Sequence, residues 1–557
     1  MVRLIYNARI YRGRGSFCQA LRIEGGKIRA AGGSAELLEE APAGAERIDA
    51  AGALVLPGFH DSHLHLQMEG RRAGMIDCRG ADSLEELIRR GRELIARLKP
   101  APGAYIQGAG LNPDLFSGEK RDPLRGDLDR ISAEHPLIIS RHCGHILYCN
   151  SLALKAAGLG GSAPELEGGL VEKDGEGRPT GVLRENAGAL ALKPVPPLSG
   201  KELKENLRRA MEKALSLGIT AAGSNDSQTP AEFDRIVEAY RDICREGGGE
   251  GFPRVSLQCG VSGDQGNMEA LWERGALTGR VLWEIPGRGV FLKAGPLKLF
   301  LDGTLGGQTA WMKAPYRDKP ETCGFPVLEE GFFRALIRRA ASRGMQVVIH
   351  TIGNAAMEAA VSALEQVSSP GRNPLRHGIV HCQITEKPQL ERMARNRLLA
   401  LVQPVFLADD MGILESRVGP ELAASSYAWK TMEDLGVPVS YGTDAPISDL
   451  NPFLGLSWAV TRQDSERNFP PEGFYPAERV DLARAVDAYT AGSAWANFDE
   501  SLQGRLAPGY WADLAFIDRD IFSLPAEEIR RARVIRTMIA GETVWEGING
   551  LFHEPPA

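Results

Sequence analysis

The feature that most restricts the fold is a series of short apolar segments in the second half of the chain, each ending on a residue able to do chemistry. Met345–His350, Gly378–His381, Leu399–Gln403 and Val437–Tyr441 read as buried strands. Their ends fall at 350, 381, 403 and 441. Those intervals lie near the ~30 residues of one strand-helix unit when ~250 residues make eight of them. Between the first two, Met357, Ala360, Val361, Leu364 and Val367 share one face of a helix. Upstream, Ser199-x-x-Glu202 is a capping-box signal for a helix with Leu203, Leu207, Ala210, Met211 and Leu215 on one side. Gly218 ends that helix, and Ile219–Ala222 can be the next strand. Regular alternation of strand and helix points to a parallel sheet with crossover helices, an α/β chain of (β/α)8 barrel type.

The first candidate barrel strand, Ala53–Leu56, lies too far before Ile219 for a single unit. An inserted subdomain at about 70–195 explains the gap, with a helix at 83–98 capped by Ser83-x-x-Glu86 and a Gly/Pro-rich stretch at 160–181. Residues 1–56 read as short strands and turns, with Gly25-Gly26 between two alternating runs. Ala512–Ile517 and Val534–Ile539 carry the same signature near the other end. The expected organisation is therefore a β-sandwich from 1–56 plus 504–557, and a barrel at 57–503 that carries the insertion.

Composition narrows the function. The chain has 557 residues, 43% hydrophobic and 25% charged, as in ordinary globular proteins of several domains. A net charge of −7 offers no basic field for nucleic acid. Eight cysteines without a CxxC pair read as reduced thiols. The start MVRLIYNARIYRGRG lacks a signal-peptide core, and no window reaches the ~18 apolar residues of a membrane span, so the expected location is cytoplasmic. The expected partner is a small-molecule substrate, with neither nucleic acid nor membrane; a homo-oligomer is compatible with the sequence.

The strongest local signal is His63-x-His65, placed just after the first candidate strand. Residues two apart in an extended segment point the same way, so both imidazoles can face one metal ion. His350 and His381 end two later strands, and Asp444 follows the last in Tyr441-Gly-Thr-Asp444-Ala-Pro. A barrel brings its C-terminal strand ends to one face, so these positions converge. Singly, each histidine suits a packed core as well as a ligand; together they point to a metal centre.

With the HxH, the strand-end histidines and Asp444 in place, the sequence resembles the metal-dependent amidohydrolase superfamily. More narrowly it is similar to amidohydrolase family 3, in the branch of YtcJ-like proteins and N-substituted formamide deformylases. Further segments that carry the likeness are Gly144-His145 through Leu154, Thr180–Glu185, Lys298–Thr304, Gln403-Pro404 and Ala512-Asp513-Leu514. One departure stands out: the branch often has Glu-His at strand six, where this chain has Val380-His381. Support for that imidazole then has to come from elsewhere.

The resemblance implies a (β/α)8 barrel, a composite β-sandwich and one or two divalent ions. Zn2+ suits a nitrogen-rich site, with Mn2+, Fe2+ and Co2+ as further choices. His63, His65, His350, His381 and Asp444 are the implied ligands. Lys298 is a sixth, after carbon dioxide converts its amine to a carbamate that bridges two ions ~3.5–4 Å apart. Lys293 competes with Lys298, and pairing of the Lys298 charge with Asp302 is the plain structural reading. Asp444 doubles as the base that moves protons between water and leaving amine. His145 is expected to bond substrate and Glu185 to fix a loop, with structural roles as open alternatives. Trp311, in the loop after strand four, either lines the pocket under a lid or anchors the loop. The implied reaction is hydrolysis of a non-peptide C–N bond, an amide and within reach an N-substituted formamide, by metal-activated water and an Asp base. Hydrolytic deamination of a ring, or a non-catalytic metal-holding binding or regulatory protein, are the alternatives.

Overall fold

The computed structural model describes residues 1–141, 146–161, 169–185, 187–247, 251–261 and 266–547. His145 lies outside the described residues, as does the side chain of Glu185. The chain divides into two compact units, Met1–Leu66 with Ala210–Ala557, and Gln67–Arg209.

The larger unit contains a parallel barrel of eight strands: β1 (Phe59–Leu64), β2 (Ile219–Ser227), β3 (Arg254–Gly260), β4 (Gly289–Phe300), β5 (Val347–Thr351), β6 (Gly378–His381), β7 (Leu399–Val402) and β8 (Val439–Tyr441). Successive strands pair in parallel from β1 to β8. The ring closes through the loop ends, where Asp444 N donates to His63 O and His65 N donates to Ala445 O, both at 2.8 Å. Gly442 permits that closure, because a Cβ there would stand 2.7 Å from Asp61 Oδ1 and 2.8 Å from His63 N. Asp61 spans the seam, accepting from Thr443 N at 3.0 Å and Thr443 Oγ1 at 2.6 Å.

The helices form for local reasons and are kept by the face they bury. Helix Pro230–Glu246 starts at Thr229, whose side chain accepts from Glu232 N, and has Pro at its first position, where no donor is lost. It buries Phe233, Ile236, Val237, Tyr240 and Ile243, each worth about 1.5–3 kcal/mol when fully buried. Helix Asn354–Leu364 buries Met357, Ala360, Val361 and Leu364, the face that periodicity predicts, and stops before Val367. Ser199 and Glu202 cap one another, Ser199 N donating to Glu202 Oε2 and Glu202 N to Ser199 Oγ.

Two further sheets in this unit come from the chain ends. One has the order Lys27–Gly32, Ala20–Glu24, Val2–Tyr6, Glu46–Asp49. The other runs Glu542–Glu546, Val534–Ile539, Leu514–Ile517, Leu54–Pro57, Arg9–Gly13, Ser16–Cys18, so it needs both termini. Ile5, Ile10, Leu21, Ile28, Val55, Leu514, Phe516 and Met538 form their common core.

This arrangement corrects the expected first barrel strand. Leu54–Pro57 pairs antiparallel with Leu514–Ile517 and belongs to the terminal sheet. The barrel starts after Gly58, at Phe59. Both runs are fully buried, so hydrophobicity does not distinguish them; Gly58 does, since a Cβ there would sit 2.1 Å from Thr220 Oγ1. His63 therefore lies within the first barrel strand, and His65 follows directly after its last residue.

The smaller unit carries a six-stranded sheet, in the order Gly169–Lys173, Pro179–Glu185, Ile146–Cys149, Leu137–Arg141, Ile106–Leu111, Ile76–Asp77. Helix Leu84–Leu98, capped by Ser83, buries Leu87, Ile88 and Leu94 into the core beside Ile106 and Leu137. All seven described cysteines are free. Among the described residues no helix is long and apolar enough to cross a membrane.

Candidate metal centre

His63 and His65 project from the end of β1, and Asp444 follows β8. Across the closed seam the three meet: Asp444 Oδ1 is 3.4 Å from His63 Nε2 and 3.1 Å from His65 Nε2. One ligand atom from each lies within 4.8 Å of the others. The backbone at Asp444 has φ 55°, a left-handed conformation that Asp tolerates better than most residues, and this turns the carboxylate toward β1. His381, ending β6, has φ 77°, which is costly for a histidine. Its ring lies 6.0 Å from that of His63 and 4.5 Å from that of His350, centroid to centroid. The four imidazoles and the carboxylate thus gather at one end of the barrel.

Each ring has its second nitrogen occupied. His63 Nδ1 is 2.7 Å from Gln258 Oε1, His65 Nδ1 is 2.7 Å from Asn225 O, and His381 Nδ1 is 2.7 Å from Gln403 Oε1. His350 is turned the other way, with Nε2 3.0 Å from Gly303 O. An oxygen only accepts, so these partners leave a lone pair on Nε2 of His63, His65 and His381 and on Nδ1 of His350. Burial depresses the pKa of His63 and His381 well below the ordinary value and brings His350 to about 3, with the Lys298 charge adding to each. His65 is penalised by burial too, but Asp444 and Asp226 outweigh it and raise its pKa.

Lys298 is buried at 1% exposure, with its Nζ 3.7 Å from the centroid of the Phe300 ring, against which His350 also packs. No hydrogen-bond acceptor reaches Nζ. Burial lowers its pKa to about 7, against the opposing pull of Asp444 and Asp302. Asp302 is otherwise engaged, its oxygens accepting from Trp311 N at 2.9 Å, Ile352 N at 3.0 Å and Gly353 N at 2.8 Å. The simple Lys298–Asp302 pairing is therefore absent. Lys293 differs: its Nζ donates to Asn497 O and Asp499 Oδ1, both at 2.5 Å. The two lysines share one strand, with a register shift between them, and only Lys293 has hydrogen-bond acceptors within reach.

The donor set fits a divalent ion. Asp444 Oδ1 is buried without a hydrogen-bond partner, a cost that a cation set between it and the imidazole lone pairs offsets. Lys298 Nζ, also unpartnered, calls for an anionic oxygen or the loss of its charge. Trp311 holds its loop through the backbone, its N–H on Asp302 and its carbonyl accepting from Ala355 N at 3.1 Å.

Sequence reading alone passed over Gln258, Asn225 and Asp61. Gln258 sits in the buried strand Arg254–Gly260, where an amide alternating with Leu257 and Cys259 is the available signal. His60, near the start of β1, is buried with its Nε2 3.0 Å from Asn497 Nδ2.

The amidohydrolase family profile matches residues 46–545. Over 535 residues the chain is 32% identical to the putative amidohydrolase YtcJ of Bacillus subtilis (strain 168), covering 96% of this chain and 97% of that protein. It is 27% identical over 555 residues to N-substituted formamide deformylase of Arthrobacter pascens, 97% of each. The crystal structure of an uncharacterized metal-dependent hydrolase from Pyrococcus horikoshii OT3 is similar with a TM-score of 0.76 and 28% identity, covering 94% of this chain and 99% of that one.

Proposed function

Because the chain belongs to the amidohydrolase family of hydrolases, we propose that it hydrolyses a non-peptide C–N bond of a small amide, N-substituted formamides included. The observation that carries this reading is the meeting of His63, His65 and Asp444 within 4.8 Å, beside two further neutral imidazoles and an unpartnered buried amine. The likeness to a formamide deformylase supports the amide class. A divalent ion held by these side chains, Zn2+ by donor preference, supplies Lewis acidity that makes water acidic and polarises the substrate carbonyl.

The chain's own residues do the rest. Asp444 takes the proton of the attacking water and returns it to the nitrogen as the C–N bond breaks, so the acid keeps the water oxygen and the amine leaves neutral. Low imidazole pKa values keep His63, His350 and His381 unprotonated and available as ligands across the neutral range. Lys298, with a pKa near neutrality, holds much of its amine uncharged at pH 7. That amine forms an N–C bond with carbon dioxide and releases a proton, giving a carbamate whose two oxygens offset the charge of a second ion. Metal analysis together with turnover on a panel of simple amides and formamides is the direct test. Bound metal without hydrolysis of any C–N substrate would overturn the reading.

A further inference from the structure

All four imidazoles of the centre rest their outward nitrogen on a neutral oxygen. For His65 and His350 this is a backbone carbonyl, of Asn225 in β2 and of Gly303 in the loop after β4. For His63 and His381 it is a side chain whose own orientation has to be fixed by something else. Gln258 Nε2 donates to Ser62 O at 3.0 Å, and Gln403 Nε2 donates to Leu401 O at 3.2 Å. With the amide nitrogen on a carbonyl, the amide oxygen is the atom turned to the ring, at 2.7 Å in both cases. Both glutamines are buried, so water offers no substitute acceptor.

Val380 brings no polar group to His381 from its own strand, and the acceptor comes instead from the end of β7. His381 is further located by Phe406, stacked at 5.5 Å and 17°. Ring plane and tautomer are thus held by separate neighbours, and the unfavourable φ at His381 is tolerated because those contacts over-determine its position.

We infer that Gln258 and Gln403 are positioning residues for the metal centre: each fixes the Nδ1–H tautomer and the ring orientation of its histidine, so that Nε2 of His63 and of His381 faces the cation. The inference rests on the metal-holding part of the proposed function and on nothing about substrate. Its test uses no turnover, so its failure and the failure of the C–N reading are separate results.

The experiment compares Zn2+ affinity, by competition with a chelator, in Gln258→Leu, Gln403→Leu and a control, Gln346→Leu. Gln346 is an equally buried amide whose nitrogen donates to Arg376 O and Ala496 O, away from the histidine cluster. The two site variants are expected to lose roughly 10–100-fold in Zn2+ affinity, the usual worth of an outer partner of a metal-bound histidine. The control is expected to lose thermal stability and leave affinity unchanged. Site variants that bind Zn2+ like the unmutated protein, or a control that weakens binding as much as they do, would overturn the assignment. Nitrogen-15 NMR of the histidine rings in the unmutated metal-free protein decides even where a leucine variant does not fold. The expected spectrum has protonated Nδ1 and bare Nε2 on His63 and His381, and a proton on Nε2 of either ring contradicts the assignment.

Discussion

Asp444→Asn isolates the base from the ligand, because the structure gives the substitution few other ways to act. The backbone at 444 is left-handed, a conformation Asn adopts as readily as Asp, and its N–H bond to His63 O does not involve the side chain. The two side chains have the same shape, so the loop and the β1–β8 seam stay as they are. An amide oxygen can still stand 3.1 Å from His65 Nε2 and 3.4 Å from His63 Nε2, while the imidazoles keep their lone pairs. Most of the bound metal is therefore expected to remain. What is lost is the ability to accept a proton. General acid–base catalysis is worth roughly 10²–10⁴-fold, or about 2.7–5.5 kcal/mol at 1.36 kcal/mol per tenfold. The assay is steady-state turnover on the best amide of the panel, with metal content measured on the same sample. Unchanged turnover at equal metal content refutes the base assignment, and loss of metal as complete as in His63→Ala shows that the Asp444 carboxylate is required as a ligand.

Replacing His63 or His65 with Ala should lower bound metal sharply while circular dichroism shows an intact barrel, and unchanged metal in both variants defeats their assignment as ligands. Lys298→Ala should lose about half of the metal and most activity where the carbamate bridges two ions, and short-chain carboxylic acids should restore part of both; without rescue the carbamate is wrong. Asp513→Ala should cost about 3–5 kcal/mol in denaturant unfolding, since it leaves Arg254 buried without the carboxylate that it meets at 2.7 Å; a loss under about 1 kcal/mol would place that pair with ordinary surface bridges. His377 accepts from Val347 N at 3.0 Å, and burial lowers its pKa from 6.5 to about 4. Its neutral form is the folded one, so the His377 contribution to stability, present above pH ~6.5, should fall as pH drops toward 4 and level off below, by about 3 kcal/mol for this residue. His377→Asn should flatten that slope, measured as the urea midpoint between pH 7.5 and 4.5, and an unchanged slope counts against it.

The parts of this protein that its sequence determines are those set by neighbours along the chain. The 3.6-residue rhythm of Met357, Ala360, Val361 and Leu364, the cap of Ser199 on Glu202 and the two-residue spacing of His63 and His65 are local, and each has its expected counterpart in the structure. The strands that carry His350 and His381 are legible for the same reason, since a polar residue closing an apolar run marks where a buried strand runs out; the first continues one residue further, to Thr351, and the second stops at His381. What the tertiary structure decided depends on which strand lies beside which, and in what register. Two fully buried runs separated by Gly58 look alike in sequence, yet one pairs with Leu514–Ile517 and the other with β2. Lys293 and Lys298 share a strand, and Asp499, brought from the far end of the chain, neutralises the first while the second is left without a partner. Gln258 reaches His63 across 195 residues and Asp61 reaches Thr443 across 382. Hydrogen bonds of that kind are short-ranged and directional, so no periodicity announces them; only closure of the barrel brings the donor to its acceptor and turns a scattered set of histidines, amides and one aspartate into a site.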